Sequence, residues 1–493
     1  MPSEVPENEV LENDRAENDR AENDRAENDR AENDRAENDR AENDRAENDG
    51  AENDRVEKQS SITRRELLLR GGAQAAALGL FHIVPAHVLG GPGRTPPSET
   101  VTHGILGSGG ISRSPAHIRP NVEGAVPTTL AICDVDSQHL ANGLKLAGPG
   151  CTGYSDWREV LERKDIDVIH ICTPPHWHAL MAVAAARAGF DIWCEKPMSR
   201  TVFEGIRMQE EVEKSGVMFR LNTWFRFRGG FYGLGVSPRM IKKLILSGRL
   251  GENLKVRVSP DTGFPWKMRW IGDPTAKVET PPPHLDYDAW LGPAPYKPYT
   301  EHRVHGSFRG YWDYDGGGLS DMGQHYLDPV QWMLDKDETS PIKISSVAPW
   351  PQHPDCAGPW GEVTFEYADG TELILESREW GDPGPEGLPY IEGSNGKVFK
   401  GGRTEPEGLF EGLEELPDPP QAGITNFEES VKTRQKFALN EANGHRSCSL
   451  ANLANISIRT GRTVHFDPVS QTFPEDTAAQ RFISPIMRAP WNL

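Results

Sequence analysis

Cysteine is scarce in this chain, six residues in 493, and none of the six are spaced as pairs. Cys133, Cys172 and Cys194 fall in apolar runs that look like buried strands, while Cys151, Cys356 and Cys448 show no partner spacing. Neither a disulfide framework nor a zinc-binding cysteine set is expected. A Lys/Arg-rich stripe is also missing, which argues against a nucleic-acid footprint. Long apolar runs are absent too, and the one candidate, near the start, is too short and too weak to span a bilayer.

What the chain does have first is a repeat. Residues 11–55 read LENDR once and then AENDR, with one AENDG variant, in nine units. The tract holds nine Glu and nine Asp against eight Arg, so it accounts for nearly half of the formal charge of −21. With almost no apolar surface to bury, it cannot offset its ordering entropy, so residues 1–59 are expected to be disordered. Residues 60–89 follow as SSITRRELLLRGGAQAAALGLFHIVPAHVL. Thr63, Arg64, Arg65, Glu66, Leu67 and Leu68 resemble a twin-arginine export signal, with no obvious small-x-small cleavage site after them. The resemblance implies export of an already folded protein, periplasmic or at the cell envelope, and leaves an uncleaved anchor open.

A Gly/Pro linker at 90–99 opens the folded part. From 100 to 223, THGILGSGG, TTLAICDVD, DIDVIHICTPP, FDIWCEKPM and MFRLNTW read as strands, and HALMAVAAARAG reads as a helix stopped by Gly189. Strands alternating with helices predict a doubly wound parallel sheet. Residues 224–493 change texture: a helix at MIKKLILSGRLG is followed by NLKVRVSP, KISSVAPW, GEVTFEYADGTELILESREW and GKVFKGG, with ADGT as a hairpin turn. A large, mostly antiparallel open sheet with a few helices on one face is predicted there, with further helical stretches near 426–431 and 449–459.

The first strand ends in GILGSGGIS. Gly107, Ser108, Gly109, Gly110 and Ile111 form a loop of the kind that lets backbone approach a pyrophosphate at a helix N-terminus, with Ser112 where a third glycine is usual. Asp134 closes the next strand, 25 residues past Gly109, where an acid accepts hydrogen bonds from an adenosine ribose and repels a 2′-phosphate. That favours NAD over NADP.

The chemistry-bearing stretch is GGGLSDMGQHYLD, 316–328. Asp321 and His325 stand four residues apart, one face of a helix, a spacing that surface ion pairs also show. Ser320 is placed to cap that helix, and the glycines leave room for a ligand. His176 and His178 in PPHWH lack an acidic or cysteine partner, so no metal site is expected. Trp224, Tyr311, Trp312 and Tyr314 fit either a sugar face or a core.

The third strand ends in CTPPHWH and the fourth in CEKPM. Together with the G-x-G-G loop and the D-x-x-x-H pair, these make the chain, from about 100 to its end, resemble the glucose-fructose oxidoreductase, inositol dehydrogenase and rhizopine catabolism family, Gfo/Idh/MocA. The stretch DYDAWLGPAPYKPYTEHRVHGSFRGYWDYDGGGLSDMGQHYLD resembles its exported branch. The resemblance implies a Rossmann domain and a second α/β domain, with Lys196 of E-K-P meeting substrate and nicotinamide ribose. It implies Lys196, Asp321 and His325 as catalytic residues, and Thr173, Pro174, His178, Glu195 and Lys196 beside the glycine loop and Asp134 as cofactor contacts. Substrate contacts are then Lys196, Arg226, Tyr314, Asp321 and His325. Pro175 departs from the usual pattern, where Asn often follows T-P. The implied function is oxidation of a secondary alcohol of a sugar, with His325 taking the proton and Lys196 stabilising the oxyanion. Export away from free nicotinamide implies a tightly held cofactor. Transient oxidation by a glycoside hydrolase, lyase or epimerase, and a non-catalytic sugar-binding protein, stay as alternatives. A homo-oligomer is expected from the open sheet face.

Overall fold

The computed structural model describes residues 99–493, apart from 123–125, 224, 228, 383 and 485. The pentad tract, the twin-arginine segment, nearly all of the linker and Trp224 therefore lie outside the described residues.

Six strands form the first sheet: β1 (His103–Leu106), β2 (Thr129–Cys133), β3 (Thr152–Tyr154), β4 (Val168–Ile171), β5 (Asp191–Glu195) and β6 (Phe219–Asn222), all parallel in the order β3-β2-β1-β4-β5-β6. The order reverses beside β1, between β1 and β4, so a crevice opens at their C-terminal ends. β4 and β5 are buried along their whole length, which is why they read as unbroken apolar runs. β3 carries no such run, being short and largely exposed, and its TGY left no strand signal.

Helix α1 (Ser137–Ala147) is capped by Asp136, whose Oδ1 accepts from the Gln138 and His139 amides. Helix α2 (Pro175–Ala188) has Pro at its first turn and Gly189 at φ 87° as its stop, the left-handed residue expected there. Helix α3 (Val202–Ser215) starts in a reciprocal capping box of Thr201 and Glu204, a T-x-x-E signal in plain sight.

The second sheet has eight strands. β7 (Lys255–Val258), β8 (Lys343–Val347), β9 (Glu362–Glu366), β10 (Glu372–Glu376), β11 (Ile391–Glu392), β12 (Lys397–Val398), β13 (Thr404–Glu405) and β14 (Val464–His465) lie in the order β13-β12-β11-β7-β10-β9-β8-β14. Every pairing is antiparallel except β7 with β10. Against this sheet pack α4 (Pro238–Leu246), α5 (Gly317–Met333) and α6 (Glu441–Thr460), joined to it in one apolar cluster through residues such as Leu244, Leu327, Val330 and Leu450. Their burial fixes α5 as a platform, because 15 of its 17 residues are buried. All six cysteines are free. Among the described residues no helix is long and apolar enough to cross a membrane.

Candidate functional site

The glycine loop sits where β1 enters the crevice. Gly107 has φ 89°, and a Cβ there would stand 2.9 Å from the main chain of Cys172 and Thr173 at the end of β4, so only glycine fits between the two strand ends. Gly109 and Gly110 face open space, with nothing within 4 Å of a Cβ built on either. Such a gap at the switch point suits a pyrophosphate held by main-chain amides. One expectation fails here: no full helix follows the loop, only a three-residue 3-10 turn, Ile111–Arg113. The buried Ser112 hydroxyl donates to the Gly109 carbonyl at 2.9 Å, occupying the place where a third glycine would let a helix pack closely. Ile111 is exposed.

Asp134 stands just past β2. Its Oδ2 accepts the Ser108 amide at 2.6 Å and its Oδ1 the Asp136 amide at 2.8 Å, which ties the acid to the glycine loop. Each carboxylate oxygen keeps a second lone pair, so ribose hydroxyls can still be received. Thr173 and Pro174 lead from β4 into α2 at the same crevice. The loop, the gap and the acid together fit a dinucleotide.

His178 does not line that crevice. Fully buried, its Nδ1 lies 2.8 Å from the Pro197 carbonyl and its Nε2 2.7 Å from the Thr173 carbonyl, so the ring links the ends of β4 and β5. Its neighbour His176 contacts the Trp290 carbonyl at 3.0 Å. Burial lowers both imidazole pKa values, His176 to about 3.

Glu195 likewise turns away from the cofactor side. Its Oε1 accepts from His117 Nε2 at 2.7 Å and from the Asn222 amide at 2.5 Å. His117 Nδ1 meets His170 Nδ1 at 2.9 Å, and His170 Nε2 meets His103 Nδ1 at 3.0 Å, giving a buried file of three imidazoles inside the sheet. Burial lowers His103 to about 3 and His170 well below its ordinary value. Burial would raise Glu195, but the hydrogen bond and charge of His117, with help from Asn222 and Lys196, leave it lowered and ionised. The ionised carboxylate can only accept, so His117 Nε2 is the donor of that bond.

Lys196, the next residue, points across to the second domain's helix. Its Nζ donates to the Asp321 carbonyl at 2.8 Å and to Asp321 Oδ1 at 3.2 Å. Two further cations reach the same carboxylate: Arg309 Nε at 2.5 Å and Lys267 Nζ at 3.4 Å. Burial alone would raise Asp321, yet Lys196, Arg309 and Lys267 overcome it and hold the acid well below the usual carboxylate range. Nearby Asp315, fully buried and repelled by Asp321, is pushed up to about 8. The group therefore sets three basic side chains around one firmly ionised acid.

The stretch 316–328 is helical, but for other reasons than expected. Its N-cap is Gly316, and Ser320 lies inside α5 with its hydroxyl accepting from Asn455 at 2.8 Å. The glycines do not make room for a ligand. A Cβ on Gly318 would collide with the Lys267 carbonyl, one on Gly317 would stand 3.1 Å from the Trp270 carbonyl, and one on Gly316 would strike Asn455. Gly317 and Gly318 admit the segment 267–270, which carries Lys267 to Asp321, while Gly316 makes room for Asn455.

His325 is one turn further along α5 and half-buried. Asp321 does not orient it. Its Nδ1 lies 2.9 Å from the Thr223 hydroxyl, and its ring meets Phe225 edge-on at 5.0 Å. The i, i+4 relation keeps Asp321 and His325 on one face, with Cβ atoms about 5–6 Å apart.

Arg226 and Tyr314 are corrections. Arg226 is 1 % exposed and bonds Asp328 at 2.5 and 2.8 Å and Asp337 at 2.9 Å, a buried ionic triad rather than a substrate contact. Tyr314 is fully buried against Trp290 and His176, and Tyr311 and Trp312 are core as well. Thr223, Lys267, Arg309 and Asp315 went unread because each is ordinary in its local sequence. Only E-K-P and D-x-x-x-H carry a pattern.

Two family descriptions match. "Oxidoreductase family, NAD-binding Rossmann fold" covers residues 101–223, and "Oxidoreductase family, C-terminal alpha/beta domain" covers 234–493. A levoglucosan dehydrogenase from Pseudarthrobacter phenanthrenivorans is 34% identical over 154 residues, 31% of this chain and 36% of that protein. An inositol 2-dehydrogenase from Salmonella typhimurium is 28% identical over 158 residues, 32% of this chain and 45% of that protein. The chain thus aligns with less than half the length of these two relatives. A myo-inositol 2-dehydrogenase from Thermotoga maritima is 22% identical across 74% of this chain and 98% of its own. The WlbA dehydrogenase from Bordetella pertussis, solved with NADH and UDP-GlcNAcA, shares the fold with a TM-score of 0.50 at 18% identity, over 75% of this chain and 99% of that one. The chain belongs to the Gfo/Idh/MocA family of oxidoreductases, whose Rossmann half is NAD-binding.

Proposed function

We propose that this chain oxidises a secondary alcohol of a sugar or sugar derivative, with His325 as proton acceptor and Lys196 stabilising the oxyanion. The observation that carries the reading is the meeting of Lys196, from the end of β5, with Asp321 on the helix face that also bears His325. Bound NAD would supply the hydride acceptor.

The remaining tasks fall to the chain's own side chains. A hydroxyl losing its proton beside Lys196 gains alkoxide character, and an ammonium there favours that charge. Arg309 and Lys267 leave the surroundings positive in spite of Asp321. Imidazole takes a proton near neutral pH without much tuning. For His325 to accept at Nε2, its Nδ1 must hold the other proton, and the Thr223 hydroxyl stands ready to receive that N–H. Asp321 fixes the Lys196 ammonium and leaves the imidazole to Thr223.

The cofactor is held tightly, in keeping with export by the twin-arginine route, and Asp134 favours NAD over NADP. The test is a stereochemically diverse sugar panel on purified protein, with nicotinamide content read by absorbance after denaturation. Stoichiometric NAD(H) and oxidation of one sugar class are expected. Protein that neither contains nor binds a nicotinamide cofactor sinks the proposal. Release of a chromogenic aglycone with no net change in cofactor replaces net oxidation by transient oxidation at the same residues.

A further inference from the structure

A second gathering of histidine and carboxylate side chains lies away from Lys196 and His325. Past β2 the chain runs Asp134-Val135-Asp136, and a segment of the second domain crosses it. Ser137 N donates to the His284 carbonyl at 2.8 Å, Asp286 N donates to the Val135 carbonyl at 3.0 Å, and Asp136 pairs with Leu285 as an isolated bridge. The crossing brings His284 Nε2 to 3.7 Å from Asp136 Oδ2, and His305, the first residue of a 3-10 helix, places its Nε2 3.3 Å from the same oxygen. The His139 ring lies 4.6 Å from that of His305. One donor atom from each of Asp136, His139 and His305 falls within 4.8 Å of the others.

We infer that Asp136, His139 and His305 form a binding site for a divalent transition-metal ion of the Zn2+ type, with His284 placed to become the fourth ligand. The donor set decides the class of ion. Imidazole suits zinc and its neighbours in the transition series, whereas magnesium and calcium take oxygen ligands. Bonds of about 2.0–2.2 Å in a tetrahedron put ligand atoms roughly 3.3–3.6 Å apart. The 3.3 Å between His305 and Asp136 already has that spacing, and closing the rest takes only rotamer adjustments in half-exposed rings.

An ordinary His–Asp ion pair explains the arrangement less well. His284 and His305 both approach the single Asp136 Oδ2, with the His139 ring against His305, and one negative charge balances only one imidazolium. Supports for the ligands are also present. Asp136 Oδ1 is occupied by its cap bonds to Gln138 and His139, which leaves Oδ2 for an ion. His139 Nδ1 stands 3.8 Å from Asp134 Oδ2, a carboxylate able to hold the proton on that nitrogen while Nε2 ligates. An ion here would pin the start of α1 to the segment 284–305, beside the acid that faces the adenosine end of the crevice. Its role is a clamp, and the inference does not depend on which alcohol is oxidised.

The experiment uses the full chain without an affinity tag, stripped with a chelator and then titrated with ZnCl2 by calorimetry and with CoCl2 by visible absorption. About one ion per chain and the intense bands of tetrahedral Co2+ are expected, with affinity falling at least ~10–100-fold in His305→Ala and in His139→Ala. Thermal unfolding of each variant without metal checks that it folds. No uptake by the unaltered chain overturns the inference, whatever the variants do. So does uptake undiminished in a folded His139→Ala/His305→Ala double variant, which places the ion elsewhere.

Discussion

Glu195 and Lys196 are neighbours at the end of one strand, yet they enter opposite environments. Glu195 faces into the Rossmann sheet, where Asn222 and His117, the end of a file of three imidazoles, donate to its carboxylate. Lys196 faces outward to α5, where Arg309 and Lys267 crowd the same acid that it contacts. Alternation along a strand separates the two sides. The difference teaches what each side is for. A buried hydrogen-bond file fixes the position of a strand end, whereas an excess of charge at a crevice is costly unless a ligand's charge develops against it.

The comparison breaks most sharply if Lys196→Met leaves activity intact. Removing the ammonium is expected to lower kcat/KM by ~10³-fold or more, a loss of preorganised charge, with thermal stability nearly unchanged. Steady-state kinetics on the best sugar from the panel, beside a melting curve, decide it.

The next effect concerns how the cation-rich side is assembled. Gly318→Ala forces a methyl group into the Lys267 carbonyl. A cost of about 1–3 kcal/mol in chemical denaturation is expected from such overpacking, together with loss of activity as Lys267 is displaced from Asp321. A stable, fully active variant would show that segment 267–270 does not serve the site.

On the Glu195 side, His117→Phe leaves the carboxylate short of a donor. Destabilisation of about 1–3 kcal/mol is expected, the penalty for an unsatisfied buried group, with a smaller change in kcat/KM than Lys196→Met gives. If His117→Phe abolished activity in a protein that still folds, the file of histidines would have a chemical role.

The last effect is a slope. Asp315, pushed up to about 8 by burial and by Asp321, binds its proton in the folded state across a range where the unfolded chain has lost it. Its contribution to stability is full below about pH 4 and is lost as pH rises toward 8. Asp315→Asn removes that contribution to the pH dependence, so the variant's melting temperature should fall less than the parent's between pH 5 and 8. Equal slopes for the two proteins would mean that Asp315 is ionised throughout.

Legibility followed the same division. Gly107, Asp134 and Lys196 were readable because main-chain geometry and strand ends impose short patterns: a tight turn, an acid closing β2, a lysine just past β5. The Gly-x-Gly loop nevertheless misled about its sequel, since one 3-10 turn follows it in place of the expected helix. Arg226 looked available for substrate and is instead locked between Asp328 and Asp337, partners 102 and 111 residues away. The glycines at the start of α5 read as space for a ligand, and Gly317 and Gly318 proved to be space for the segment 267–270.

By itself, then, the sequence determined the alternating parallel sheet, the antiparallel sheet with its ADGT hairpin, the crevice loop and the pair on one helical face. All of these rest on interactions among residues close in sequence or on the periodicity of burial. The tertiary structure alone decided which charges surround Asp321, that Thr223 rather than Asp321 holds His325, and that Asp136 gathers histidines from residues 139 to 305. Side-chain contacts across such separations depend on how two sheets and their connections pack, and no local pattern encodes that.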